Sequence, residues 1–126
     1  MARLKQIVID CRHPSGLARF WSDALDRFEI RPYDDDEVTR LAALGFTPET
    51  DPTVLIDGPQ LELCFQQVDT RGRDTKRHLH FDLDTDDLDA EVQRFVGLGA
   101  QVVERFKSHA WMRDPEQNDF CVTATF

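Results

Sequence analysis

The sequence predicts an α+β protein built from two βαβββ modules, the first carrying an extra helix over residues 34–45. Two observations predict it. A strand–helix–strands pattern occurs on both sides of a basic stretch, Asp69 to Arg77, that contains no apolar residue. Aligning Gln6 with His80 then brings Asp10 onto Asp84 and the helix at Pro14 onto the helix at Asp86, and it pairs Leu63-Cys-Phe65 with Phe120-Cys-Val122. Internal repetition of this kind is to be tested before any fold is named. The expected organisation is a single domain over 1–126: module one at about 1–70, a connector at 71–77 and module two at about 78–126.

Each element has a local reason. Lys5-Gln-Ile-Val-Ile-Asp10 is β-rich, and Pro14 stands where a helix can begin. Leu17, Phe20, Trp21, Ala24, Leu25 and Phe28 follow at helical spacing and make one apolar face, so Trp21 reads as core. Phe28 to Pro32 reads as a short strand. Asp34-Asp-Asp-Glu37 suits a helix start because carboxylates complement the positive helix N-terminus, and Gly45 suits its end. Thr53–Ile56 and Leu61–Gln66 flank Asp57-Gly58-Pro59 and read as a hairpin. His78 to Asp84 alternates polar and apolar residues with period two, as a half-buried strand does. Asp86 and Asp87 open a helix with Leu88, Val92, Phe95 and Val96 on one side, ending near Gly97 and Gly99. Val102–Phe106, His109–Arg113 and Phe120–Phe126 read as strands, with a turn at Asp114–Asn118.

The 126 residues hold 24 acids against 15 lysines and arginines, a formal charge of −9, which opposes nucleic acid and anionic membranes as partners. No apolar run approaches the ~20 residues of a membrane span, and no signal-peptide pattern opens the chain. Cys11, Cys64 and Cys121 are odd in number and widely spaced, so free thiols in a reducing cytoplasm are the expectation.

Four stretches carry a family resemblance: Val8-Ile-Asp-Cys-Arg-His-Pro14 running into Leu17-Ala-Arg-Phe-Trp21; Leu63-Cys-Phe-Gln66; Leu79-His-Phe-Asp-Leu83 followed by Asp86-Asp-Leu-Asp-Ala-Glu-Val92; and Leu98-Gly-Ala-Gln-Val102 with Met112-Arg-Asp-Pro-Glu-Gln-Asn-Asp-Phe-Cys-Val122. Together they resemble the glyoxalase-like proteins of the vicinal oxygen chelate superfamily, which also holds bleomycin-resistance proteins and extradiol dioxygenases. The resemblance implies sheets that curl into a cup. In the metalloenzymes of the superfamily the cup holds a divalent metal, with ligands from the first and last strands of each module and substrate oxygens completing the shell. Carried over, the opening ligands fall on Gln6 and His80. The closing ligand of the second module falls on Cys121, where metalloenzymes usually have Glu. In the first module it falls near Cys64, with Glu62 and Gln66 on the same strand face.

One imidazole, one amide and two thiols make a poor glyoxalase I site. Thiolates favour zinc in a closed tetrahedral shell, which leaves no room for substrate, so the resemblance implies an altered or vacant metal centre at Gln6, His80 and Cys121. His78 and His80 form a His-x-His pair, but the Glu and later His that a cupin site needs have no suitable counterparts. Asp82, Asp84, Asp86, Asp87 and Asp89 fail as a calcium loop, because its sixth position is Asp87 and its twelfth Gln93. Crowded carboxylates at Asp82 and Asp84 would raise one another's pKa and could provide a general base, and His80 and Asp82 are the candidate catalytic residues. A nucleophilic role for Cys121 or Cys64 needs an adjacent base and a lowered pKa. The expected pocket comprises Gln6, Asp10, Cys64, Phe65, Gln66, His78, Trp111 and Cys121, and its aromatic members favour an apolar or aromatic molecule.

The expected function is small-molecule binding with a degraded metal site, the ligand apolar or carbonyl-bearing. The alternative is a metal-dependent lyase/isomerase or dioxygenase-type enzyme of the same superfamily. A third possibility is a regulatory domain whose dimerisation is its function, and a homodimer is a plausible state.

Overall fold

The computed structural model describes residues 6–68 and 81–125. The chain divides into two compact units, residues 1–72 and 73–126, each a four-stranded mixed sheet with helix on one side. His78, His80 and the connector at 71–77 lie outside the described residues.

In the first unit the elements run β1 (Gln6–Cys11), α1 (Pro14–Ala24), β2 (Glu29–Ile30), α2 (Asp35–Ala43), β3 (Thr53–Asp57) and β4 (Glu62–Gln67). The sheet order is β1-β4-β3-β2, with β1 parallel to β4 and the other pairs antiparallel. Parallel neighbours need a crossover, and α1 begins it, with proline at its N-terminal turn, where the missing N–H costs nothing. Its Leu17, Ala18, Phe20, Trp21 and Ala24 are buried, and the helix packs on β3 and β4, where Val54, Ile56, Leu63 and Phe65 are buried. Phe20 and Trp21 meet edge to face at 5.0 Å. Each large side chain buried this way contributes roughly 1.5–3 kcal/mol.

The extra helix is present as α2. Asp34 caps it by accepting the Glu37 N–H at 2.8 Å, and Leu41 is its buried residue. Gly45 follows at φ +86°, a left-handed conformation that glycine adopts without strain. The expected Phe28–Pro32 strand is shorter than its sequence suggests: only Glu29 and Ile30 pair, between Arg27 at φ +61° and Pro32, which has no N–H to donate.

The second unit repeats the plan as β5 (Phe81–Thr85), α3 (Leu88–Gly97), β6 (Gln101–Arg105), β7 (His109–Arg113) and β8 (Asp119–Ala124), in the order β5-β8-β7-β6 with β5 parallel to β8. Asp87 caps α3 through the Ala90 N–H. Phe95 of α3 meets Phe120 of β8 edge to face at 5.6 Å, among Ala110, Met112 and Val122. The last strand begins one residue earlier than expected, at Asp119, and ends at Ala124. The Asp114–Asn118 turn is held by the fully buried Asp114 carboxylate, which accepts the N–H groups of Glu116 and Asn118 and the Asn118 side-chain amide.

The ladders repeat residue for residue. Val8 lies opposite Cys64 on β1 and β4, and Asp82 lies opposite Cys121 on β5 and β8. This is the correspondence that the alignment of Leu63-Cys-Phe65 with Phe120-Cys-Val122 anticipates.

Candidate functional site

In each sheet the helix covers one face, so alternate residues face away from it. In the first unit the strand ladders place Gln6, Val8 and Asp10 of β1 on this open face. They are joined there by Glu62, Cys64 and Gln66 of β4 and by Thr53, Leu55 and Asp57 of β3. Val8 is 45% exposed, whereas its neighbour Ile9, on the α1 side, is 6%. Arg31 follows β2 and donates its N–H to the Leu55 carbonyl. Its guanidinium grips Asp57 through two hydrogen bonds, of 3.0 and 2.6 Å, and comes within 3.2 Å of Glu62. This hydrogen-bonded pair holds the Asp57 carboxyl below its ordinary pKa and the Arg31 guanidinium above its own.

In the second unit the same parity places Asp82 and Asp84 of β5 on the open face. With them are Asp119, Cys121 and Thr123 of β8 and His109, Trp111 and Arg113 of β7. Asp119 Oδ1 accepts both the Trp111 indole N–H at 3.2 Å and the Arg113 Nε–H at 3.0 Å. His109 stacks on Phe106 with ring centroids 4.4 Å apart. Cys121 lies between Asp82 and Trp111 in register. Burial, then the charges of Asp82 and Asp119, push its thiol pKa up. Cys64 is pushed up as well, first by burial and then by Glu62, with Arg31 opposing.

Most of the expected pocket residues therefore fall on open faces, and Gln6, Asp10, Cys64 and Gln66 share one in the first unit. Phe65 does not. It lies opposite Ile9 on the α1 side and is fully buried, so it belongs to the core. Trp111, Cys121 and Asp82 share the face of the second unit. Arg31 and Arg113 went unanticipated, because a charged residue in a strand ordinarily reads as solvated. The alternation of His109, Trp111 and Arg113 was the available signal. Two clefts in the first unit lie elsewhere: one of about 330 Å³ at the start of α1 between Arg12, Arg19, Glu49 and Asp51, and one of about 380 Å³ beside the β3–β4 turn.

This architecture is that of the two-module glyoxalase and bleomycin-resistance fold. The glyoxalase-like domain family matches residues 6–123, and the chain belongs to that family, within the vicinal oxygen chelate superfamily. A glyoxalase/bleomycin resistance protein/dioxygenase family enzyme from Burkholderia phytofirmans PsJN is similar in structure. Its TM-score is 0.68 at 15% identity, over 99% of this chain and 100% of that one. A glyoxalase family protein from Bacillus cereus gives 0.61 at 14%, over 98% and 94%. The fosfomycin resistance protein of Listeria monocytogenes gives 0.61 at 14%, over 100% and 93%. At these identities the likeness is one of fold. None of the curated proteins compared with the chain matches it.

Members of the superfamily often use a divalent metal; among the described residues the donors do not fit one. Among the described residues no three His, Cys, Asp or Glu side chains cluster as a ligand set. The ladder neighbour of Gln6 is Glu62, whose carboxylate already faces Arg31. Asp119 is taken by Arg113 and Trp111. Both thiols hold their protons more tightly than a free cysteine, whereas zinc binds the thiolate.

Proposed function

We propose that this glyoxalase-like chain binds a small apolar or carbonyl-bearing molecule on its open sheet faces without using a metal. The observation that carries the reading is the pairing of three carboxylates of these faces, Asp57, Glu62 and Asp119, with arginines. Arg31 faces Asp57 and Glu62, and Arg113 faces Asp119. A guanidinium beside a carboxylate offsets the charge that would attract a cation, while its remaining N–H groups stay available as donors. What remains on these faces is Val8, Leu55, Trp111 and two protonated thiols beside hydrogen-bonding groups, a surface suited to a flat molecule with a polar end.

In this reading Gln6, Asp10, Gln66 and the histidines at 78 and 80 provide hydrogen bonds to the ligand. His80 and Asp82 are the groups that would move a proton if a reaction occurs. The raised thiol of Cys121 argues against a nucleophile at neutral pH. The test is amide shift mapping of chelator-treated protein titrated with 2-acetylnaphthalene, an apolar ketone. The reading expects the shifts to fall on open-face residues such as Val8, Leu55, Trp111 and Cys121. Shifts confined to the helices, or to the cleft at the start of α1, would overturn it.

A further inference from the structure

On the reading that the open face of the second unit holds a small molecule, we propose that its ligand is a planar conjugated carboxylate, with its ring on Trp111 and its anionic end on Arg113. The face is polarised strand by strand. β5 contributes the acids Asp82 and Asp84, β8 contributes Asp119, Cys121 and Thr123, and β7 contributes His109, Trp111 and Arg113 in a single column. Asp82 and Asp84 lie two strands from β7, roughly 10 Å away at ordinary strand spacing, whereas Asp119 of β8 lies opposite Arg113 and Glu104 of β6 opposite Trp111. At about one Debye length Asp82 and Asp84 act weakly on what sits over Trp111, and the nearer Asp119 is engaged by Arg113 and Trp111.

Asp119 fixes both halves of the recognition element. Its Oδ1 receives the indole N–H of Trp111 and the Nε–H of Arg113, so the ring and the guanidinium are held in one orientation before any ligand arrives. The guanidinium carbon is 5.7 Å from the Trp111 ring centre. Among the described residues the hydrogen bond of Arg113 runs through Nε, and its Nη1 and Nη2 groups carry the remaining donors. Two parallel N–H donors on a fixed fork match a carboxylate bidentately, which a lysine cannot do. The side chain of Arg113 is 40% exposed, so a ligand has access to the fork. A neutral ligand would leave those donors to water.

The experiment compares three probes of one ring size, 2-naphthoate, 2-naphthylmethanol and 2-naphthylmethylammonium, titrated into the full chain. The readout is the Trp111 indole N–H resonance. The chain has two tryptophans, so the signal lost in Trp111→Phe assigns it. We expect 2-naphthoate to bind roughly tenfold or more tightly than the alcohol, the difference a charged hydrogen-bonded pair makes. Arg113→Gln removes that advantage while the alcohol keeps its affinity, and Arg113→Lys restores only part of it. If the alcohol or the ammonium binds as well as the carboxylate, or the preference survives Arg113→Gln, the anionic assignment is overturned while small-molecule binding on this face stands. If none of the three moves the Trp111 signal, both are overturned.

Discussion

Cys121 shares its open face with the carboxylates of Asp82, Asp84 and Asp119, and that proximity makes its chemistry predictable. Burial and the charges of Asp82 and Asp119 raise its pKa, so the thiol holds its proton until the pH passes above the ordinary cysteine range. Alkylation by iodoacetamide, followed by mass spectrometry at each cysteine, is expected to show Cys121 reacting with an inflection above that of a free cysteine. Asp82→Asn removes one negative charge, lowers the pKa and speeds alkylation at pH 8 by roughly two- to fivefold. An unchanged rate would mean that the charge does not reach the sulfur. At Gln117 the backbone is left-handed, at φ +70°, where only glycine is free of strain. Gln117→Gly is expected to raise stability by about 0.5–1 kcal/mol in urea unfolding. The equivalence of Cys64 and Cys121 was legible in sequence because identical residues recur in matching strands. Phe65 was read as lining the pocket although it shares the parity of Leu63 and not that of Cys64, which puts it on the helix side. The arginine partners were not legible, because nothing in a linear sequence says which carboxylate a long side chain reaches.

At the level of elements, capping chemistry was the most readable signal. Asp34 and Asp87 both accept an N–H three residues on, and both were marked by acids ahead of an apolar-periodic run. Asp87→Ala is expected to cost about 1 kcal/mol in urea unfolding, and Asp87→Ser to restore most of it. Strand β2 was read too long because its β-favouring residues are overridden by neighbours that cannot extend the ladder. The β3–β4 turn has a tighter constraint than its Asp57-Gly58-Pro59 sequence suggests. A Cβ on Gly58 would lie 2.4 Å from the Phe28 ring. Gly58→Ala is therefore expected to destabilise the chain by about 1–3 kcal/mol, with the loss reduced by a second change, Phe28→Leu. Equal losses in the single and double variants would show that the ring is not the obstacle.

For the molecule as a whole, the duplicated βαβββ plan was visible because an apolar-free basic segment separates two runs with the same order of elements. Family membership followed from several weak motifs acting together, none of them sufficient alone. The occupancy of the metal positions was less readable. Sequence pointed to thiols at the closing positions. The ladder shows that carboxylates are present as well, at Glu62 and Asp119, and that arginines hold them. The fold thus keeps the family's framework while its open faces carry paired charges, an indole and protonated thiols. The affinity for 2-acetylnaphthalene, measured by titration first with a chelator and then with one equivalent of zinc, tests that account most directly. The same dissociation constant in both conditions is predicted; binding seen only with zinc, and lost in Cys121→Ser, would contradict it.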